Sequence, residues 1–355
     1  MYNEINEYFF GGRIMKKLTI KMSYTGDKIE GQGVGAATKE QINLIKERCQ
    51  DEFDVLVNKS GKHDILHVHT IDPVSFFRMM TTKAKIVMHV HFLPETLEGS
   101  IKLPKFMMGL FHKYFLYMYR KADYIVVVNP IFIDPLVGYN IKRENIKYIP
   151  NFVSEEVFYQ TDEEQRVATR REFNVPEDKF VVLGVGQVQT RKGVIDFVEV
   201  AKRMPDLFFV WAGGFSFGAI TDGYKELKAV VENPPANVIF TDIVPRTKMN
   251  DIYNMADVLF MPSFNELFPM AILEACSSKR PLLLRNLELY EDILFNEYYL
   301  APDVDGFVAE LKKLSEDKDY YTKGVAQSDV ITQYYSRNNI KKEWVSFYTD
   351  VYQSK

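Results

Sequence analysis

At 355 residues the chain exceeds a usual single domain, so two domains are expected. Its 46% hydrophobic and 26% charged residues are those of a globular protein, and a net charge of −4 argues against a general nucleic-acid binder, which should be basic. No window offers the roughly 20 uninterrupted apolar residues of a membrane span, and the start MYNEINEYFFGGRIM carries acids where a signal peptide needs basic residues.

Residues 1–15 are expected to be a tail. The first strand, 17–23, has apolar Leu18, Ile20 and Met22. Gly31-Gln32-Gly33-Val34-Gly35-Ala36 follows and leads into a helical stretch through Arg48. A glycine-rich loop between strand and helix lets the backbone approach a ligand closely. As a dinucleotide fingerprint it is weak, because the third glycine is off the spacing and no acid follows a second strand; a plain tight turn is the other reading. Residues 53–57 and 65–69 read as strands, 74–80 as a helix and 85–91 as a further strand. His63, His67, His69, His89 and His91 invite comparison with a metal site. Their alternation is taken to keep neighbouring histidines off one face, and no carboxylate or cysteine completes a ligand set, so no metal is expected.

Residues 99–122 contain no acid. Lys102, Lys105, Lys113, Arg120 and Lys121 are interleaved with apolar residues that include Phe106, Leu110, Phe111 and Phe115. The stretch is too short and too interrupted to cross a bilayer. A basic, aromatic amphipathic helix can lie on an anionic membrane surface, and a domain helix buried on one side is the alternative. Residues 123–129 form an apolar strand, 130–139 a helix, and 146–149 lead into Pro150-Asn151-Phe152-Val153, with 154–165 as the linker.

The second half opens with a helix at 164–173 and a strand at 179–185, followed by Gly186-Gln187-Val188-Gln189-Thr190-Arg191-Lys192-Gly193 and a helix from Val194. Strand, glycine, basic pair and helix make a phosphate cradle of N–H groups with Lys192 and Arg191. A helix N-terminus repels cations, so two of them there should meet an anion. Further on, the strand 258–261 breaks at Pro262-Ser263, and Pro269 opens a helical run holding Cys276. Glu266 lies in the loop and Glu274 in the helix. Ionised carboxylates are acceptors that grip hydroxyls rather than phosphate. Acceptors for hydroxyls beside donors for phosphate suit a sugar nucleotide. The two cysteines, Cys49 and Cys276, show no pairing pattern, which favours a reducing compartment. Asp303-Val304-Asp305 imitates a metal-binding acidic pair, but helix capping explains it better. Residues 338–352 read as an aromatic amphipathic helix.

Glu266-x7-Glu274 after Pro262-Ser263 resembles the donor motif of the retaining glycosyltransferases of family 4, which have the GT-B fold. The stretch 186–193 resembles that family's Gly-Arg-Leu-x-x-x-Lys-Gly, with Lys192 matching the lysine and Gln187 replacing the arginine. Pro150-Asn151-Phe152-Val153 resembles its Pro-Asn-Gly-Val at the domain junction. Gly33 and Gly35 match its first glycine loop, and His91 its donor-sugar histidine. The resemblance covers nearly all of residues 16–355. It implies an α/β protein with two doubly wound Rossmann-like domains facing a cleft. Residues 16–153 would serve the acceptor and membrane side, 154–335 would bind the nucleotide sugar, and 336–355 would form a helix returning to the first domain.

The implied reaction is retaining transfer of a hexose, with neither metal nor other cofactor. The resemblance puts Glu274 on the ribose hydroxyls, Glu266 on the sugar, and Lys192 on the diphosphate beside Arg191 and Gly186. Lys192, Glu266 and His91 form the catalytic group, with no nucleophile assigned. The family's Glu-Gly-Phe-Gly-Leu reads Glu266-Leu267-Phe268-Pro269-Met270 here, so sugar selection is expected to use Glu266 and the loop amides, including that of Met270. Within the family, GQGVG, HFLPETLEGS, GQVQTRKG and ELFPMAILEA are similar to bacterial glycolipid synthases. This implies a cytoplasmic enzyme, peripheral on the inner face of the cell membrane, moving galactose from UDP-galactose to α-glucosyl-diacylglycerol. A UDP-glucose-dependent glucosyltransferase and a catalytically silent GT-B scaffold are the alternatives.

Overall fold

The computed structural model describes residues 7–10, 13–25, 33–94, 105–216, 218, 221 and 223–354. Residues 7–16, expected as a tail, form an antiparallel pair, β1 (Glu7–Phe10) with β2 (Arg13–Lys16). Two short runs separated by Gly-Gly are a hairpin signature in the sequence, and it outweighs the acidic start.

From β3 onward, strands and helices alternate. The elements are β3 (Leu18–Ser23), α1 (Gly33–Arg48), β4 (Phe53–Val57), β5 (Ile65–Val68), α2 (Pro73–Thr81), β6 (Lys85–Val90), α3 (Lys105–Lys121), β7 (Tyr124–Val127), α4 (Ile133–Gly138) and β8 (Ile146–Tyr148). The chain continues with α5 (Glu163–Glu172), β9 (Val181–Val185), α6 (Val194–Arg203), β10 (Phe208–Ala212), α7 (Tyr224–Glu232), β11 (Val238–Phe240), α8 (Met249–Met255) and β12 (Val258–Met261). It ends with α9 (Met270–Ser277), β13 (Leu282–Arg285), α10 (Glu291–Leu294), β14 (Tyr299–Ala301), α11 (Val304–Glu316), α12 (Lys318–Tyr334) and α13 (Arg337–Gln353).

The chain divides into two compact units. Among the described residues, one holds those within 7–25, 34–152 and 337–354, and the other Gly33 and those within 153–336. Each contains a six-stranded parallel sheet, in the order β4-β3-β5-β6-β7-β8 in the first and β11-β10-β9-β12-β13-β14 in the second. Crossover helices bury parallel strands on both faces, which is why the strands read as continuous apolar runs such as VVLGV and VLFM.

The core of the first unit joins Leu18, Ile20, Met22, Ile45 and Val87 to the inward stripe of α13. Ile340, Trp344, Phe347, Tyr348 and Val351 recur at helical spacing and are all buried. In the second unit, Phe197 of α6 meets Trp211 edge-on at 5.1 Å, and Phe260 meets Phe307 at 4.7 Å.

A buried ionic hub fixes the amino ends of the second sheet. Asp257, just before β12, accepts hydrogen bonds from Val181 N (2.7 Å), Arg166 Nη2 (2.6 Å) and Arg170 Nη2 (2.9 Å). Arg170, 3% exposed, also donates to the carbonyls of Met255, Glu177 and Lys179. Removing one partner leaves a buried charge without its counterion. Asp257→Ala should therefore cost about 3–5 kcal/mol, read by urea denaturation; a loss below about 1 kcal/mol would show the hub to be dispensable.

Candidate functional site

In both sheets the winding direction reverses at one place, between β3 and β5 in the first and between β9 and β12 in the second. Loops leaving the carboxyl ends of such strand pairs diverge and open a crevice for a ligand. In the second unit, the β9 loop carries residues 186–192 and the β12 loop carries residues 262–269. The two loops meet. Phe264 N donates to Arg191 O (2.8 Å), and Arg191 Nη1 donates to Asn265 O (3.2 Å).

Lys192 closes the short helical turn Thr190–Lys192, and its ammonium donates to Glu266 Oε1 at 2.5 Å. Both side chains are largely buried, at 12% and 5% exposure. Burial pulls the Lys192 pKa below the ordinary lysine value; Glu266 opposes this and Arg191 adds to it. Gly186 has φ +146° and lies against the Lys192 stem. Gln187, where the family's arginine would stand, pairs with Gln189 at 2.7 Å. Arg191 is half-buried beside this pair.

Glu274 occupies the second turn of α9, 4% exposed. Its Oε1 accepts from Arg246 Nη1 (2.6 Å) and its Oε2 from the Tyr253 hydroxyl (2.7 Å). Burial, and then the Glu274 charge, raise the Tyr253 pKa well above normal, so the phenol stays a donor. Nothing in the spacing of Arg246 and Tyr253, 28 and 21 residues before Glu274, reveals this grip. Met270 is the buried first residue of α9, next to Pro269 as N-cap.

Gly31 and Gln32 lie outside the described residues, and Gly33 and Gly35 open α1. His91 follows β6, is buried, and stands 3.5 Å from the Thr38 hydroxyl of α1. Burial pushes its pKa down to about 4, so the imidazole is neutral. The expectation that alternation separates the histidines is overturned. Residues two apart on a strand share a face, and β5 and β6 are parallel neighbours, so His67, His69, His89 and His91 form one buried cluster.

The membrane residues need a correction as well. Phe115 is fully buried, in T-shaped contact with half-buried Phe111 at 4.5 Å. Phe111, Phe115, Met118 and Tyr119 form the inward stripe of α3, so the aromatic face covers the sheet. Lys113, Arg120 and Lys121 are exposed, and Arg120 Nε donates to Tyr139 O. Lys102 lies outside the described residues, as do the side chains of Lys105 and Phe106. The exposed apolar residues are Leu110 (71%) and Tyr117 on α3, with Val74, Phe77 (67%) and Met80 on α2. Phe76 contacts Tyr114 and Tyr117, and the Tyr117 hydroxyl donates to Met80 Sδ, joining the two helices into one patch. Among the described residues, no helix is long and apolar enough to cross a membrane.

Two family models match, "Glycosyltransferase Family 4" over residues 52–157 and "Glycosyl transferases group 1" over residues 165–328. The chain is 40% identical to an α-galactosylglucosyldiacylglycerol synthase of Streptococcus pneumoniae, across 94% of this chain and 90% of that protein. It is 27% identical to a processive diacylglycerol α-glucosyltransferase of Acholeplasma laidlawii, across 81% and 84% of the two chains. Among solved structures, Anabaena HepE in complex with UDP-glucose superposes with a TM-score of 0.77 at 14% identity, covering 94% of this chain and all of that one. The alternation of strand and helix in two parallel six-stranded sheets is the GT-B architecture. With two family models matched in order along the chain, and with 40% identity to a glycolipid synthase across 94% of its length, the chain belongs to glycosyltransferase family 4 and is a hexosyltransferase.

Proposed function

We propose that the protein moves a hexose, galactose from UDP-galactose, onto α-glucosyl-diacylglycerol with retention at the anomeric carbon. The observation that carries this reading is the near full-length 40% identity to a synthase of that glycolipid, in a chain that keeps Lys192, Glu266 and Glu274 at one switch point. An ionised carboxylate has about four acceptor sites. Arg246 and Tyr253 use two on Glu274, which leaves acceptors for the ribose diol. Glu266 has an oxygen free of Lys192 for sugar hydroxyls. When a donor arrives, Lys192 is in reach to pass from Glu266 to the diphosphate. As the bond from the anomeric carbon to diphosphate oxygen breaks, Lys192, Arg191 and loop N–H groups would meet the charge that develops on the leaving group. Neutral His91 would offer one donor or acceptor to the sugar.

The reaction is proposed to need no metal. Asp303 and Asp305, the acidic pair with a metal-binding look, have other partners: Asp303 caps α11 through Gly306 N, and Asp305 pairs with Arg203. Incubating the enzyme with labelled UDP-galactose or UDP-glucose and vesicles of α-glucosyl-diacylglycerol tests the reading. A galactosylated product is expected. Glucose transfer would instead favour the activity named for the Acholeplasma relative, and transfer of neither would overturn the proposal. Lys192→Ala should lower kcat roughly 100-fold or more, since its contact strengthens as charge develops; near-normal turnover would remove Lys192 from the diphosphate site.

The acceptor's acyl chains keep it in a bilayer, so the enzyme is proposed to act as a peripheral protein on the inner, anionic membrane face. The patch formed by α2 and α3, with Lys113 and Lys121 nearby, supports this reading better than Phe115 does. Each such basic residue contributes on the order of 1 kcal/mol near an anionic surface, declining with salt. Replacing Phe77 and Leu110 with serine should weaken sedimentation with anionic vesicles at least severalfold while UDP binding stays intact. Unchanged sedimentation would place the membrane contact elsewhere.

A further inference from the structure

The buried histidines of the first unit play no part in that chemistry beyond His91, and their arrangement calls for an explanation. The β5–β6 register pairs Ile65 with Lys85, which sets position 69 beside position 89 on the face covered by α1 and α13. Ring centroids are 4.1 Å apart for His67 and His69, 5.0 Å for His69 and His89, and 5.4 Å for His67 and His89. We propose that His67, His69 and His89 form a binding site for a first-row transition-metal ion of the Zn2+ class, which braces α13 against the sheet.

Three observations carry the proposal. One donor nitrogen from each of the three histidines can be chosen so that all lie within 4.8 Å of one another. Ligation at about 2.0–2.1 Å needs nitrogens about 3.3 Å apart, so the three rings turn toward a common point when the ion binds. Second, five buried imidazole nitrogens (His67 Nε2 and both nitrogens of His69 and of His89) have no hydrogen-bond partner among the described residues. Buried polar atoms are ordinarily satisfied, and a shared cation satisfies three of these at once. Third, His67 has the arrangement of a metal-ligating histidine. Its Nδ1 is held by the Tyr348 hydroxyl at 2.6 Å, which in turn accepts from Gln41 Nε2 at 3.4 Å, while Nε2 is left for a ligand. Fixing one ring nitrogen in this way orients the other toward a metal.

Burial keeps the imidazoles neutral, which is the ligating form. A donor set of nitrogens alone suits Zn2+, Co2+, Ni2+ or copper rather than Mg2+ or Ca2+. Trp344, 5.5 Å from the His67 ring and 5.8 Å from that of His89, supplies a dry wall. His91 stacks on His89 at 4.3 Å, with planes 3° apart, so an ion on His89 would also steady His91.

The test uses the full chain without an affinity tag, stripped with chelator and titrated with Co2+. Expected are about one equivalent bound, d–d absorption in the visible, and displacement by Zn2+. The same result is expected after His63→Gln and His112→Gln. The band should be lost in His69→Gln, with circular dichroism confirming the fold; His69→Phe, which keeps a ring in the stack, replaces it if the amide variant does not fold. Imidazole nitrogen NMR decides in the parent protein without any substitution, because Zn2+ should move the signals of three buried histidines and leave His63 and His112 in place. A parent that retains no ion, as it would if water bridged these nitrogens, overturns the proposal. Equal binding by folded His69→Gln, or NMR shifts confined to His63 and His112, overturns it as well.

Discussion

A lysine ammonium buried against a carboxylate is the interaction on which the ligand end of the second unit depends. Lys192 and Glu266 come from loops 74 residues apart, and either charge alone would cost several kcal/mol to bury. The pair therefore obliges the β9 and β12 loops to touch, and that in turn dictates where glycine must stand. Gly193 has φ +71°, and a Cβ there would sit 2.3 Å from the Pro262 carbonyl oxygen. Gly213, after β10, has φ +142°, and a Cβ there would lie 2.0 Å from the Gly186 oxygen. These two positions let three strand-end loops close on one another.

The departures from the family pattern make sense against that contact. Leu267-Phe268-Pro269 stands where flexible glycines are usual, and the loop gains packing instead. Phe268 is 8% exposed and meets Tyr335 edge-on at 5.6 Å. Pro269 holds an extended backbone directly before α9. On the opposite loop, Gln187 turns to Gln189 rather than outward, while the Arg191 guanidinium reaches Asn265 O. The cradle thus keeps two cations, both tied to the β12 loop.

Much of this was legible from the residues. Parallel strands buried on both faces announce themselves as apolar runs, and the Lys192, Glu266 and Glu274 spacings are local to single strand–loop–helix units. What was not legible arises from pairing between distant segments. The histidine cluster needs the β5–β6 register, the Glu274 grip needs α8 to pack beside α9, and the side of α3 that faces the sheet is ambiguous when both sides carry aromatics. Phe115 looked like a membrane residue because a basic, aromatic helix has the same composition whether its apolar stripe meets lipid or core. Burial of Met118 and Tyr119 on the same stripe resolves this in favour of core.

The place of α13 has a consequence for biosynthesis. Its Trp344 and Tyr348 complete the core of the first unit, yet in sequence they follow the whole stretch 153–336 of the second unit. During translation the six strands of that unit leave the ribosome long before the helix that seals them, and the whole second unit emerges in between. Until α13 has emerged, the sheet face it shares with α1 lacks Trp344 and Tyr348, whereas residues 153–336 of the second unit follow one another without interruption. The two tryptophans fall one in each unit, Trp211 in the second and Trp344 in the first, so intrinsic fluorescence can follow each closure separately.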